Sequence, residues 1–122
     1  MDALALAGRD EARRRLAARL KQVVLIYPYC GPPSLTRRRG WGALSPRVTA
    51  ILGGRDAVVG ERAPMRALER LAQDGLTVDA HLFAEATHAF DDDDASDPRT
   101  RYQPDLTRRA IALVVEGVLA AA

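Results

Sequence analysis

Val48-Thr49-Ala50-Ile51-Leu52-Gly53-Gly54-Arg55-Asp56 is the stretch that decides the fold. Its first five residues read as a strand, Gly53-Gly54 stops it, and an acid follows two residues later. Upstream, Val23-Val24-Leu25-Ile26-Tyr27 is a second β-branched run, ended by Pro28. A run apolar on both faces suits a strand covered by helices on both sides. Downstream, residues 76–83 give a third strand, in which Val78, Ala80 and Leu82 alternate with Thr77, Asp79 and His81. The side-chain period of 2 sends the first set toward a core.

Helical patterns separate these runs. Residues 2–20 read as a helix with an apolar stripe of Leu4, Ala7, Leu16 and Leu20, a solvated side of Arg13, Arg14 and Arg15, and a break near Gly8-Arg9-Asp10. Pro64 sits in the first turn of a helix whose stripe is Met65, Leu68, Leu71 and Ala72, and Gly75 stops it. A final helix starts at Pro104-Asp105 and carries Leu106, Ala110, Leu113, Val114 and Gly117. Residues 28–46, with three glycines, four prolines, Arg37-Arg38-Arg39 and Trp41, read as a long surface loop. Strands alternating with helices imply an α/β chain with a short parallel sheet of about three strands flanked by helices.

The composition sets bounds. The 122 residues fit a single domain over 1–122, and 48% hydrophobic with 28% charged residues is ordinary globular usage. Eighteen basic residues face 16 acidic ones, so no broad field for nucleic acid exists. No apolar run approaches the roughly 20 residues of a membrane helix. Cys30, the one cysteine, excludes an internal disulfide and a Cys-only zinc cluster. The chain opens in helical patterning with no basic n-region and no apolar h-region, so no signal peptide is visible; the chain is cytoplasmic as written, and the compartment of a truncated chain stays unknown.

In parallel sheets, chemistry gathers in loops beyond the carboxyl ends of the strands. Asp56 follows the second strand and His88 the third. Strands about 4.8 Å apart let their loops bring a carboxylate and an imidazole into hydrogen-bond reach. An acid that fixes a histidine's tautomer frees the other ring nitrogen to act as base, which makes two-thirds of a nucleophilic triad. The order acid then histidine is that of α/β-hydrolases.

Gly53-Gly54-Arg55-Asp56, the helix Met65-Arg66-Ala67-Leu68-Glu69-Arg70-Leu71, and Val78-Asp79-Ala80-His81-Leu82-Phe83 leading to Thr87-His88-Ala89-Phe90-Asp91 resemble the carboxyl-terminal half of the dienelactone hydrolase family. Tyr27-Pro28-Tyr29-Cys30-Gly31 resembles the strand end one unit earlier. The resemblance covers nearly the whole chain and implies a partial α/β-hydrolase fold acting on small-molecule esters or lactones without metal or cofactor. It carries Asp56 over as triad acid and His88 as triad base, and implies that Trp41, on a loop near the active-site rim, lines a substrate pocket.

The departures are equally concrete. The family's Gly-x-Cys/Ser-x-Gly turn belongs just upstream of residues 2–20, and Ser34, Ser45 and Ser96 have no such glycines around them. The resulting expectation is an N-terminally truncated fragment that lacks its nucleophile elbow and is inactive alone. Ala84-Glu85 stands where members often carry Pro-Gly. Cys30 reads as a buried small hydrophobe, because Gly31-Pro32-Pro33 cannot begin a helix promptly. His81 reads as a packed or edge-facing strand residue. The run Asp91 to Asp94 lacks the glycine and distal glutamate of a calcium loop and reads as a solvated acidic loop, with Asp91 holding the His88 loop through backbone N–H groups. The alternative function is a non-catalytic α/β module that binds a partner, or itself, through an exposed sheet edge.

Overall fold

The computed structural model describes residues 1–7 and 10–122. The elements run α1 (Asp2–Ala7), α2 (Glu11–Ala17), β1 (Gln22–Ile26), α3 (Leu35–Arg39), β2 (Arg47–Gly53), α4 (Arg62–Gln73), β3 (Val78–Phe83) and α5 (Pro104–Ala121). The strands form one parallel sheet in the order β1-β2-β3, with Leu25 beside Ala50 and Ala50 beside Ala80. This is a mixed α/β fold with a three-stranded parallel sheet flanked by helices. Among the described residues no helix is long and apolar enough to cross a membrane.

β2 lies in the middle and is buried from Val48 to Gly53. Alternate residues of the strand face opposite ways, so it divides the apolar interior. Val48, Ala50 and Leu52 pack with Ala7, Ala17, Leu25, Trp41, Leu44, Leu68, Leu71 and Leu76. Ile51 packs on the other side with Phe83, Ala86, Phe90 and Ala110, joined by Tyr27, Leu106, Leu113 and Val114. α5 therefore covers one face, and the amino-terminal helices with α4 cover the other. The stripe expected for α5 is the one that faces inward.

Several expectations need correction. Residues 2–20 form two helices. Gly8 and Arg9 of the expected break lie outside the described residues, while Asp10 caps α2 by accepting the Arg13 N–H at 3.0 Å. Leu16 is 69% exposed and Leu20 is exposed too, because Ala17 is the residue α2 turns inward. In α4 Ala67 is buried and Ala72 is exposed. β1 is shifted one residue toward the N-terminus relative to the expected run and is an outer strand, so most of its residues are half-buried. On β3 the expected inward set is largely open: Ala80 is exposed and Leu82 is 52% exposed, since β3 is an outer strand that pairs with β2 alone among the described strands.

The largest correction concerns residues 28–46, which hold core rather than only surface. Ser34 caps α3, and the Asp2 carboxylate accepts the Leu35 N–H (3.0 Å), the Thr36 N–H (2.9 Å) and the Thr36 hydroxyl (3.0 Å). Burial pulls the Asp2 carboxyl upward, but these bonds outweigh it and leave the group below the usual carboxylate range. Trp41 Nε1–H donates to Thr36 Oγ1 at 3.1 Å, and the ring is 1% exposed within the core. Trp41 is thus a core residue with no surface to offer a substrate pocket, which overturns the rim position implied for it.

Candidate active site

Asp56 and His88, 32 residues apart in sequence, meet where the loops after β2 and β3 run side by side. His88 Nδ1 lies 2.9 Å from Asp56 Oδ2. The Asp56 side chain is 1% exposed and that of His88 is 22% exposed. The other carboxylate oxygen, Oδ1, accepts the N–H groups of Val58 (2.9 Å) and Val59 (2.8 Å). A buried carboxylate is tolerated only when its oxygens are satisfied, and Asp56 has a partner for each. An ionised carboxylate only accepts, so the neutral imidazole that fits this contact is the one with its proton on Nδ1 and its lone pair on Nε2. Among the described residues no hydrogen-bond partner occupies Nε2.

Gly53 and Gly54 make the approach of the loops possible. A Cβ on Gly53 would lie 2.5 Å from the Ala86 carbonyl oxygen, and one on Gly54 would lie 2.6 Å from that of Ala84. The space a side chain would need is filled by backbone. Gly54 N–H donates to the Phe83 carbonyl and Arg55 N–H to the Ala86 carbonyl, each at 2.9 Å, so the loops are stitched before the acid is reached. Across this junction Arg55 pairs with Glu85 at 2.7 Å, both largely exposed, an ion pair at the rim.

α5 fixes the other side of the His88 loop. Gln103, at its N-terminus, accepts the Thr87 N–H on Oε1 (3.1 Å) and donates Nε2–H to the Glu85 carbonyl (2.8 Å). Its backbone N–H donates to the Phe90 carbonyl at 2.8 Å. Phe90 is fully buried against Phe83 and anchors the loop in the core.

The sequence reading had no role for Tyr27 at this site. Its ring lies 4.5 Å from the His88 ring, centroid to centroid, tilted by 57°, and its hydroxyl donates to Asp91 Oδ1 at 2.7 Å. Asp91 does tie down the His88 loop, but through the Tyr27 phenol rather than through backbone N–H groups. Burial, helped by the Asp91 hydrogen bond, pushes the Tyr27 phenol up to about 12. The signal for Tyr27 was its position immediately past a strand end, on the rim where Asp56 and His88 also stand.

Other candidates lie apart from the pair. Cys30 is fully buried, its Sγ 3.2 Å from Met1 Sδ, and burial pushes its thiol up to about 11. That is the opposite of an activated nucleophile. His81 is half-buried on β3 beside a depression of about 490 Å³ lined by Phe83, Arg109 and Leu113, which includes neither Asp56 nor His88. Asp92, Asp93 and Asp94 are exposed. Nearer the pair, a polar depression of about 200 Å³ is lined by Arg55, Glu85, Thr87, Arg99, Thr100 and Arg101. No protein-family model matches the chain, and no curated protein matches it in sequence.

Proposed function

We propose that this chain carries the acid and base of a dienelactone-hydrolase-like enzyme for carboxylic esters or lactones, and that without a nucleophile elbow it is inactive by itself. One observation carries the reading: the 2.9 Å contact between the buried Asp56 carboxylate and His88 Nδ1. In that reading Asp56 holds the imidazole in one tautomer. His88 Nε2 takes a proton from a serine or cysteine nucleophile as it attacks the ester carbonyl, returns it to the leaving alcohol, and activates the water that clears the acyl group. No serine of this chain has the Gly-x-Ser-x-Gly surroundings that chemistry needs, and Cys30 is buried with its thiol pushed up.

The test has two arms. Purified chain and its His88→Ala variant are assayed on an activated ester such as p-nitrophenyl acetate; both are expected at the uncatalysed rate. Hydrolysis by the wild type that disappears in His88→Ala would overturn the claim of inactivity. In the second arm the coding DNA upstream of Met1 is read. An in-frame Gly-x-Cys/Ser-x-Gly turn supports the hydrolase reading, and a stop codon with no such turn counts against it.

A second reading has its own observation. β1, Gln22–Ile26, pairs only with β2 among the described strands, and it contains no charge or proline. On α5, Ile111, Val115, Val118 and Leu119 are exposed. An uncharged open edge invites strand addition, so a binding module that self-associates through β1 is the alternative. Sedimentation distinguishes it: Val24→Lys should then dissociate a dimer, and a wild type that sediments as a monomer at high concentration rules self-association out.

A further inference from the structure

Resting on His88 as the base, we infer that Tyr27 is a positioning residue that fixes the plane of the His88 imidazole, with Asp91 as the anchor of the tyrosine. The His88 side chain turns about its two torsions, χ1 and χ2, and a single hydrogen bond at Nδ1 constrains only one combination of them. The direction in which Nε2 aims is then undetermined. The Tyr27 ring, 4.5 Å away and tilted by 57°, supplies a second constraint on a different part of the imidazole. Aromatic pairs prefer such tilted geometry to a flat sandwich.

The backbone on both sides of this contact is strained. Tyr27 has φ +39° and Ala89, the residue after His88, has φ +49°. Left-handed backbone is costly for a bulky side chain, and the residue before a proline is restricted further. Such conformations persist only where the surroundings over-determine them, and they concentrate at functional sites. Here the surroundings are explicit. Tyr27 N–H donates to the Ile51 carbonyl at 2.9 Å, extending the β1–β2 ladder, its hydroxyl reaches Asp91 at 2.7 Å, and its ring meets Phe90 edge-on at 6.1 Å. Asp91 is three residues beyond His88, so the hydroxyl bond closes a ring of contacts from Tyr27 through the His88 loop and back. The phenol, pushed up to about 12, stays neutral and works through its ring and its donated proton, not as an acid or base.

The test reads the imidazole directly and needs no enzymatic activity. In protein with ¹⁵N-labelled histidine, NMR reports His88's tautomer and the exchange of its Nδ1 proton; His81→Gln identifies which signal is which. Wild type is expected in the Nδ1–H tautomer with a retained proton. Tyr27→Leu, which deletes the ring, should speed loss of that proton about fivefold and erode the tautomer preference. Tyr27→Phe and Asp91→Asn keep a ring at position 27 but weaken the anchor. Each should leave the tautomer in place and accelerate amide exchange over residues 88–91, also about fivefold, and these two carry the test if Tyr27→Leu does not fold. Wild-type proton retention in Tyr27→Leu, or unchanged exchange in both anchor variants, overturns the inference. Asp56→Asn separates it from the reading beneath. A tautomer indifferent to Asp56→Asn defeats the acid–base pair and this inference together. One that responds to Asp56→Asn but not to Tyr27→Leu defeats the positioning role alone.

Discussion

Asp56 divides its carboxylate between two tasks: Oδ2 meets His88 Nδ1 at 2.9 Å, while Oδ1 holds the Val58 and Val59 N–H groups of its own loop. The acid is therefore a structural post as well as a partner for the imidazole. Asp56→Ala is expected to cost about 1–3 kcal/mol, because it removes the acceptor of two backbone N–H groups and of the imidazole at a part-buried site. Asp56→Asn retains an acceptor for the loop and should cost less than half as much. Urea unfolding measures both, and equal losses would show that the loop bonds carry no weight.

Gly53 and Gly54 are expected to tolerate nothing larger. Alanine at either position drives its Cβ into the carbonyl of Ala86 or Ala84. Rigid backbone cannot swing aside as a side chain can, so each substitution should destabilise by about 2 kcal/mol or more. It should also part the loops. The check is a proton contact between the Asp56 loop and the His88 ring, seen by NMR in wild type and lost in Gly53→Ala.

Cys30 is expected to be inert in the folded chain. Burial holds its thiol at about 11, so a colorimetric thiol reagent at pH 8 should react at the rate set by opening of the fold. Adding denaturant should restore a free thiol's rate. Fast labelling without denaturant would contradict the packing around Cys30 and Met1.

Tyr27 predicts alkaline behaviour. Its phenol sits at about 12 in the folded chain against an ordinary value of about 10. Between those values the unfolded chain has lost the proton and the folded chain keeps it. The stabilisation is therefore full below pH 10 and falls as pH rises toward 12. Absorbance at 295 nm should show a late tyrosine step that Tyr27→Phe removes, and that variant should lose less stability between pH 10 and 12 than wild type does.

The strands were legible because β-branched runs bounded by glycine and proline have few other uses. The centres of all three runs became strands, and Asp56 and His88 followed from counting past their ends. The misreadings came from the neighbours each element meets, which the local pattern cannot show. Leu82 has the phase of a core residue but sits on an outer strand, in an open depression beside Met65 and Glu69 of α4, and is left half exposed. Trp41 stands among glycines, prolines and arginines, and is buried only because Asp2 and Ser34 organise α3 beneath it. The resemblance put that segment at an active-site rim, whereas the Thr36 hydroxyl and the apolar cluster hold Trp41 inside. Tyr27 was visible at its strand end, but its partner Asp91 lies 64 residues away, and the bond between them has no local mark.

Gln103 uses both ends of one amide to clasp Thr87 and Glu85, and so makes the start of α5 part of the His88 loop. Helix ends are ordinarily the first places to fray. Here fraying would release the histidine at the same moment, so the helix and the imidazole should melt as one cooperative unit. In hydrogen exchange, the amide of Thr87 and those of the first turns of α5 should share one opening energy, and Gln103→Ala should split them into two.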